Sequence, residues 1–161
     1  MSVRAVFFAV LAALAACSPM SADAGQKSAA TAPGRHPISG LEIIPLTIAS
    51  ANARRAFRVE VARSGEEQAR GMMFRTAMGA NEGMIFPMEP ARQASFWMKN
   101  TVISLDLVFI GPDRRIESIA ANAVPYSLSP IGSKGSVSAV LELNGGRAAQ
   151  LGLAPGDKVE W

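Results

Sequence analysis

The chain has 161 residues, and the part that reads as folded is the size of one compact domain, too small for two ordinary ones. Its formal charge is +3, but Arg4, Lys27 and Arg35 lie outside that part, so the acids and bases of the domain nearly balance and its cations are dispersed; this argues against nucleic acid as a partner. The one histidine, His36, and one cysteine, Cys17, both precede the domain, which excludes a Ser-His-Asp triad, a Cys-His pair, an internal disulfide and any zinc site built on those side chains.

In chain order, the first element is an apolar run over residues 6–16, preceded by Arg4 and ending in Leu14, Ala15 and Ala16 immediately before Cys17. It is too short to span a bilayer as a helix and resembles a bacterial lipoprotein signal. That resemblance implies removal of residues 1–16, lipidation of Cys17 and lasting attachment to the cell envelope, since two or more acyl chains hold where one does not. Ser18 after the cysteine favours the outer membrane by the same analogy. The rival is an ordinary secretory signal cut near Ala22 or Ala24. Residues 17–39 are rich in Ala, Ser, Pro and Gly and cannot bury enough apolar surface to offset ordering, so a flexible tether is expected, with His36 solvated within it.

The domain is expected over residues 40–161. Short β-branched or aromatic runs bounded by Gly, Pro, Asn or Asp predict strands over 41–48, 56–61, 84–86, 94–98, 105–110, 116–123, 139–143 and 158–161. Ser64 is placed to cap a helix running to about Met72, with Glu66 and Glu67 in its first turn where the dipole favours negative charge. A second helix is expected over 146–151, closed by Gly152, and Gly111, Pro112 and Asp113 read as a hairpin turn. The fold class is therefore mainly β (α+β): a compact, mostly antiparallel, partly open β-barrel with two short helices.

Three blocks carry a resemblance. They are Arg70, Gly71, Met72, Met73, Phe74 and Arg75; Glu82 to Phe86; and the specific string Phe96, Trp97, Met98, Lys99, Asn100 and Thr101. Together with the apolar strand containing Asp106 and the segment Leu141, Glu142, Leu143, Asn144, Gly145 and Gly146, they resemble the domain of unknown function 192 (DUF192) family. The resemblance implies a compact, mainly β domain, often exported or lipid-anchored, and leaves the biochemical role open.

Candidate site residues come from polar groups set among apolar neighbours. Lys99 and Asn100 end a predicted strand whose alternation puts Phe96, Met98 and Asn100 on one face and Trp97, Lys99 and Thr101 on the other. As ligand groups, Lys99 is a point charge suited to carboxylate or phosphate and Trp97 an apolar wall; otherwise Asn100 satisfies a turn and Lys99 is merely solvated. Asp106 and Glu142 stand in apolar strands, so each needs a cation, a polar pocket or a proton. Arg70 and Arg75 flank a helix end and, with Lys99, could form a cationic rim. The leading expectation is an accessory binding module with Arg70, Arg75, Trp97, Lys99, Asn100, Asp106 and Glu142 around one polar pocket for an anionic or carbohydrate-like ligand, without catalytic residue, cofactor or metal. Two alternatives stand beside it: a hydrolase using Asp106 and Glu142 as its carboxylate pair, and a copper(I) site in the methionines from Met72 to Met98. Core packing of those methionines is the plainer reading.

Overall fold

A computed structural model describes residues 34–161. The signal segment, Cys17 and the first part of the tether lie outside the described residues. Ten strands and two helices follow one another: β1 (Gly34–Arg35), β2 (Glu42–Ser50), β3 (Ala53–Val61), α1 (Gly65–Arg70), β4 (Glu82–Arg92), β5 (Ser95–Phe96), β6 (Leu105–Ile110), β7 (Ile116–Ala123), β8 (Ile131–Gly132), β9 (Val137–Asn144), α2 (Arg147–Leu151) and β10 (Lys158–Glu160).

Eight of these strands make one sheet in the order β1-β2-β3-β4-β9-β6-β7, with β10 paired to β2, while β5 and β8 form a separate ribbon. All pairings are antiparallel except β3 with β4, which is parallel because α1 lies in the connection between them. The sheet does not close into a barrel. It comes near to closure where β10 forms an isolated bridge, Lys158 to Arg115, beside the start of β7. The mainly β fold with two short helices agrees with the sequence expectation.

The three central strands, β4, β9 and β6, have apolar residues on both faces, and all of β6 is buried. A strand covered on both sides reads as a nearly continuous apolar run rather than an alternation, which is the pattern of Leu105 to Ile110 apart from Asp106. One face joins Ile85, Val108, Ile110, Leu141 and Leu143 to Phe57, Val59 and Val159. The other joins Met84, Phe86, Leu107, Phe109 and Val140 to Met72, Met88 and Met98. Four methionines thus fill the second core, where an unbranched, polarisable side chain adapts to the irregular loops that cover it.

Local signals locate both helices. Ser64 caps α1 in a full capping box, its Oγ accepting from Glu67 N at 3.1 Å while the Glu67 carboxylate accepts from Ser64 N at 2.8 Å. The helix ends at Arg70, earlier than Met72, because Gly71 departs at φ 45 and turns follow. The second helix starts after Gly146, whose φ of 80 suits glycine, and closes at Gly152 at φ 67.

Two expectations fail here. The strand expected over residues 94–98 shrinks to Ser95–Phe96, and the residues after it form a turn. His36 is not a solvated tether residue: its side chain is 14% exposed and lies against Arg75 and Glu60. Residues 34–40 belong to the domain because β1 pairs with β2 and His36 N donates to Leu41 O at 2.8 Å. Short polar segments carry little periodic signal, so neither pairing was visible from composition.

Candidate functional site

Glu142 is on β9, with Met84 on β4 and Leu107 on β6 as its lateral neighbours. Laterally paired residues share a face, so the carboxyl points into the methionine-rich side of the sheet. Gly83, just before Met84, brings β4 close: a Cβ there would stand 2.6 Å from the Glu142 carbonyl oxygen. The Glu142 side chain is buried, and its Oε2 has no hydrogen-bond partner among the described residues. Burial without a cation to compensate pushes its carboxyl up to about 8, so it is mostly protonated at neutral pH.

Over this carboxyl lies a recess of about 290 Å³. Its walls come from the end of α1, the far part of β4 and the loop through β5, with Met72, Phe86, Met88 and Phe96 among the apolar groups and Thr101 among the polar ones. Arg70, Arg92 and Lys99 also line it. None of these three cations has a carboxylate within 4 Å among the described residues. Lys99 lies 5.2 Å from the centroid of the Trp97 ring, a cation–π contact that holds both at the opening, where Trp97 is 51% exposed. The recess thus has a protonated acid among its linings, apolar walls and unneutralised cations.

Four of the expected site residues, Arg70, Trp97, Lys99 and Glu142, line one cavity, and three do not. Asn100 does not line it. The alternating-strand argument breaks down because Thr101 N donates to Met98 O at 3.0 Å, closing a turn in which Asn100 takes φ 56. Its carbonyl instead accepts from Phe74 N at 2.8 Å, which makes Asn100 a loop organiser.

Arg75 is likewise withdrawn from the expected rim. It is buried with Glu60, its Nη2 donating to both carboxylate oxygens at 2.9 and 2.7 Å. Ser39 Oγ donates to the same carboxylate, and His36 Nε2 lies 3.3 Å from Arg75 Nη1. This cluster ties the start of the domain to β3 and to the loop after α1.

Asp106 is fully buried, but its oxygens are already used. They accept from Asn122 N at 2.8 Å, Gly146 N at 2.9 Å and Ala148 N at 2.8 Å. A carboxylate at the start of α2 satisfies donors the helix cannot, which explains an acid inside an apolar strand. Leu107, its neighbour, shares a face with Glu142, so Asp106 faces the other side of the sheet. The two carboxylates therefore do not flank a common cleft, and the arrangement expected of a carboxylate-pair hydrolase is not formed. Met72, Met84, Met88 and Met98 are buried in the core, and among the described residues no three or more of His, Cys, Asp and Glu cluster so as to hold a metal ion.

Sequence reasoning missed Arg92 and Thr101. No sequence signal singles out Arg92, whose acidic neighbour three residues before it, Glu89, makes no ion pair with it among the described residues.

The comparisons with known proteins describe the same domain. The DUF192 family model, described as an uncharacterized ACR, matches residues 46–161. A crystal structure of a protein of unknown function from Novosphingobium aromaticivorans DSM 12444 superposes with a TM-score of 0.81 at 56% identity, covering 85% of this chain and 99% of that one. Another, from Sinorhizobium meliloti 1021 and designated a candidate transcription regulator, gives 0.70 at 38% identity over 72% of this chain and 91% of its own. No curated protein matches the chain at a significant level.

Proposed function

The chain belongs to the DUF192 family, which supplies a fold without an assigned chemistry, and on that footing we propose that it is a binding module for a small ligand bearing a carboxylate or phosphate group. The observation that carries this reading is Glu142, a buried carboxyl whose Oε2 has no partner among the described residues, lining a recess shared by three cations that form no ion pair among those residues. A polar atom so buried is costly unless something meets it. In its protonated form it donates a hydrogen bond to a ligand oxygen and adds no negative charge, while Arg70, Arg92 and Lys99 complement an anion. Trp97 and the Met and Phe walls supply apolar contact around those polar groups, the usual division of labour in a ligand pocket. We further propose that the domain acts at the cell envelope, held by a lipid on Cys17 through the residues that follow it.

The binding reading is tested by titrating the domain with inorganic phosphate, acetate and a hexose phosphate while following backbone and indole NMR shifts. Shifts confined to the recess, with affinity reduced about tenfold in Lys99→Glu and Arg70→Glu, are expected. Absence of any recess shift, or equal affinity in the charge-reversed variants, counts against it. Binding should also weaken as pH rises through about 8, where Glu142 acquires its charge.

A further inference from the structure

We propose that the outer rim of this recess seats on an anionic lipid surface. Of the six large apolar side chains exposed among the described residues, five belong to three loops: Phe74, Trp97, Val124, Tyr126 and Leu128; the first two loops also line the recess, through Met72, Met73, Trp97, Lys99 and Thr101. The loops are joined through their backbones, Phe74 N donating to Asn100 O at 2.8 Å, Met98 N to Ser127 O at 2.9 Å and Tyr126 N to Thr101 O at 3.2 Å. The apolar groups therefore occupy neighbouring positions rather than scattered ones. Phe74 and Tyr126 take φ values of 64 and 62, a left-handed conformation uncommon for bulky side chains. An outlier shared by two exposed aromatic residues in adjoining loops points to a shape kept for contact.

Charge selects the occupant. Residues 68–81, 90–105 and 118–141 contain no Asp or Glu, yet carry Arg70, Arg75, Arg92, Lys99 and Lys134. Of these, Arg75 is committed to Glu60, while Arg70, Arg92 and Lys99 are not paired among the described residues. Exposed Trp97 in contact with Lys99, on a loop without Asp or Glu, matches the headgroup layer of a bilayer carrying anionic lipid. The proposed anchor agrees: Cys17 lies only 16 residues, 18 to 33, before the described domain. The inference shares Arg70, Arg92, Lys99 and Trp97 with the small-ligand reading but does not use Glu142, and Tyr126, outside the recess lining, separates the two.

A fragment of residues 31–161, a compact unit matched by the separately crystallised relative, is suited to the test. It is mixed with vesicles of phosphatidylcholine alone or with added phosphatidylglycerol and sedimented. Binding to the phosphatidylglycerol vesicles only, weakened by salt, is expected. Lys99→Gln should reduce partitioning about fivefold, the Trp97→Ser/Tyr126→Ser double variant should reduce it at least as far, and Arg54→Gln, remote on β3, should not. Thermal melting of each variant verifies folding. No sedimentation with anionic vesicles at low salt, or equal binding by the folded double variant, overturns the proposal. So does a vesicle-independent dimer that the double variant dissociates, which would assign the face to a second copy of the chain.

Discussion

Two carboxylates of similar sequence context have opposite fates. Asp106 receives three backbone N–H groups, whereas Glu142 keeps an oxygen without a partner. The difference has a measurable signature. A carboxyl whose folded value is about 8, against an ordinary value of 4.5, retains its proton in the fold after the unfolded chain has lost it. Stability then falls as pH rises from about 4.5 to about 8 and levels off above. Glu142→Gln removes this slope. The variant should match the parent near pH 5 and exceed it near pH 9 by on the order of 4 kcal/mol, read from urea unfolding. Glu67 and Glu160 act in another window. A backbone hydrogen bond at Ser64 holds Glu67 low, and the Lys158 side chain does so for Glu160, so their contributions vanish only as pH falls below the unfolded value. A flat wild-type profile between pH 5 and 8 would show that Glu142 is not buried unpaired.

Among elements, α2 illustrates how a five-residue helix is held. Its length gives it little stability of its own. It depends on Asp106 of β6, which accepts from Gly146 N and Ala148 N at its start, and on Gly152 at its end. Asp106→Ala strands those two donors and Asn122 N, and should cost about 3 kcal/mol or more in chemical denaturation. Asp106→Asn keeps an acceptor and should fall between. Equal stability of the Ala variant and the parent would contradict the capping role. The loop bearing Trp97 and Lys99 is held differently. Its strand is two residues long, and the turn at Asn100 is fixed by hydrogen bonds from neighbouring loops. Apolar residues at every second position there, Ala94, Phe96 and Met98, imitate a strand face but belong to a loop that covers the methionine core with some side chains and meets solvent with others.

For the whole molecule, the described domain has two cores on the two faces of one sheet, and the recess opens through the methionine-rich one. That layer is closed by loops and the two-stranded β5–β8 ribbon rather than by a full second sheet, which leaves room for a cavity. The proposed membrane attachment belongs to this scale as well. Metabolic labelling with radioactive palmitate in a bacterial host should mark the full-length chain. The label should disappear in Cys17→Ser, with the protein moving from the membrane to the soluble envelope fraction. Labelling that persists in the variant, or none in the parent, would remove the anchor from the account.

Most of the secondary structure was legible in the chain because its causes are local. Leu105 to Ile110 reads as a strand from its β-branched and aromatic residues, Ser64 with Glu66 and Glu67 announces a helix start, and glycines at 146 and 152 bracket the second helix. Candidate groups were visible too, since Arg70, Trp97, Lys99 and Glu142 are polar or amphipathic residues in apolar surroundings. Which of them meet was decided only in three dimensions. Arg75 lies five residues from Arg70 yet pairs with Glu60 on another strand, and Asp106 lies one residue from the partner of Glu142 yet faces the opposite core. Strand register and loop hydrogen bonds set those outcomes, and both depend on segments far apart along the chain, where one sequence carries no distance.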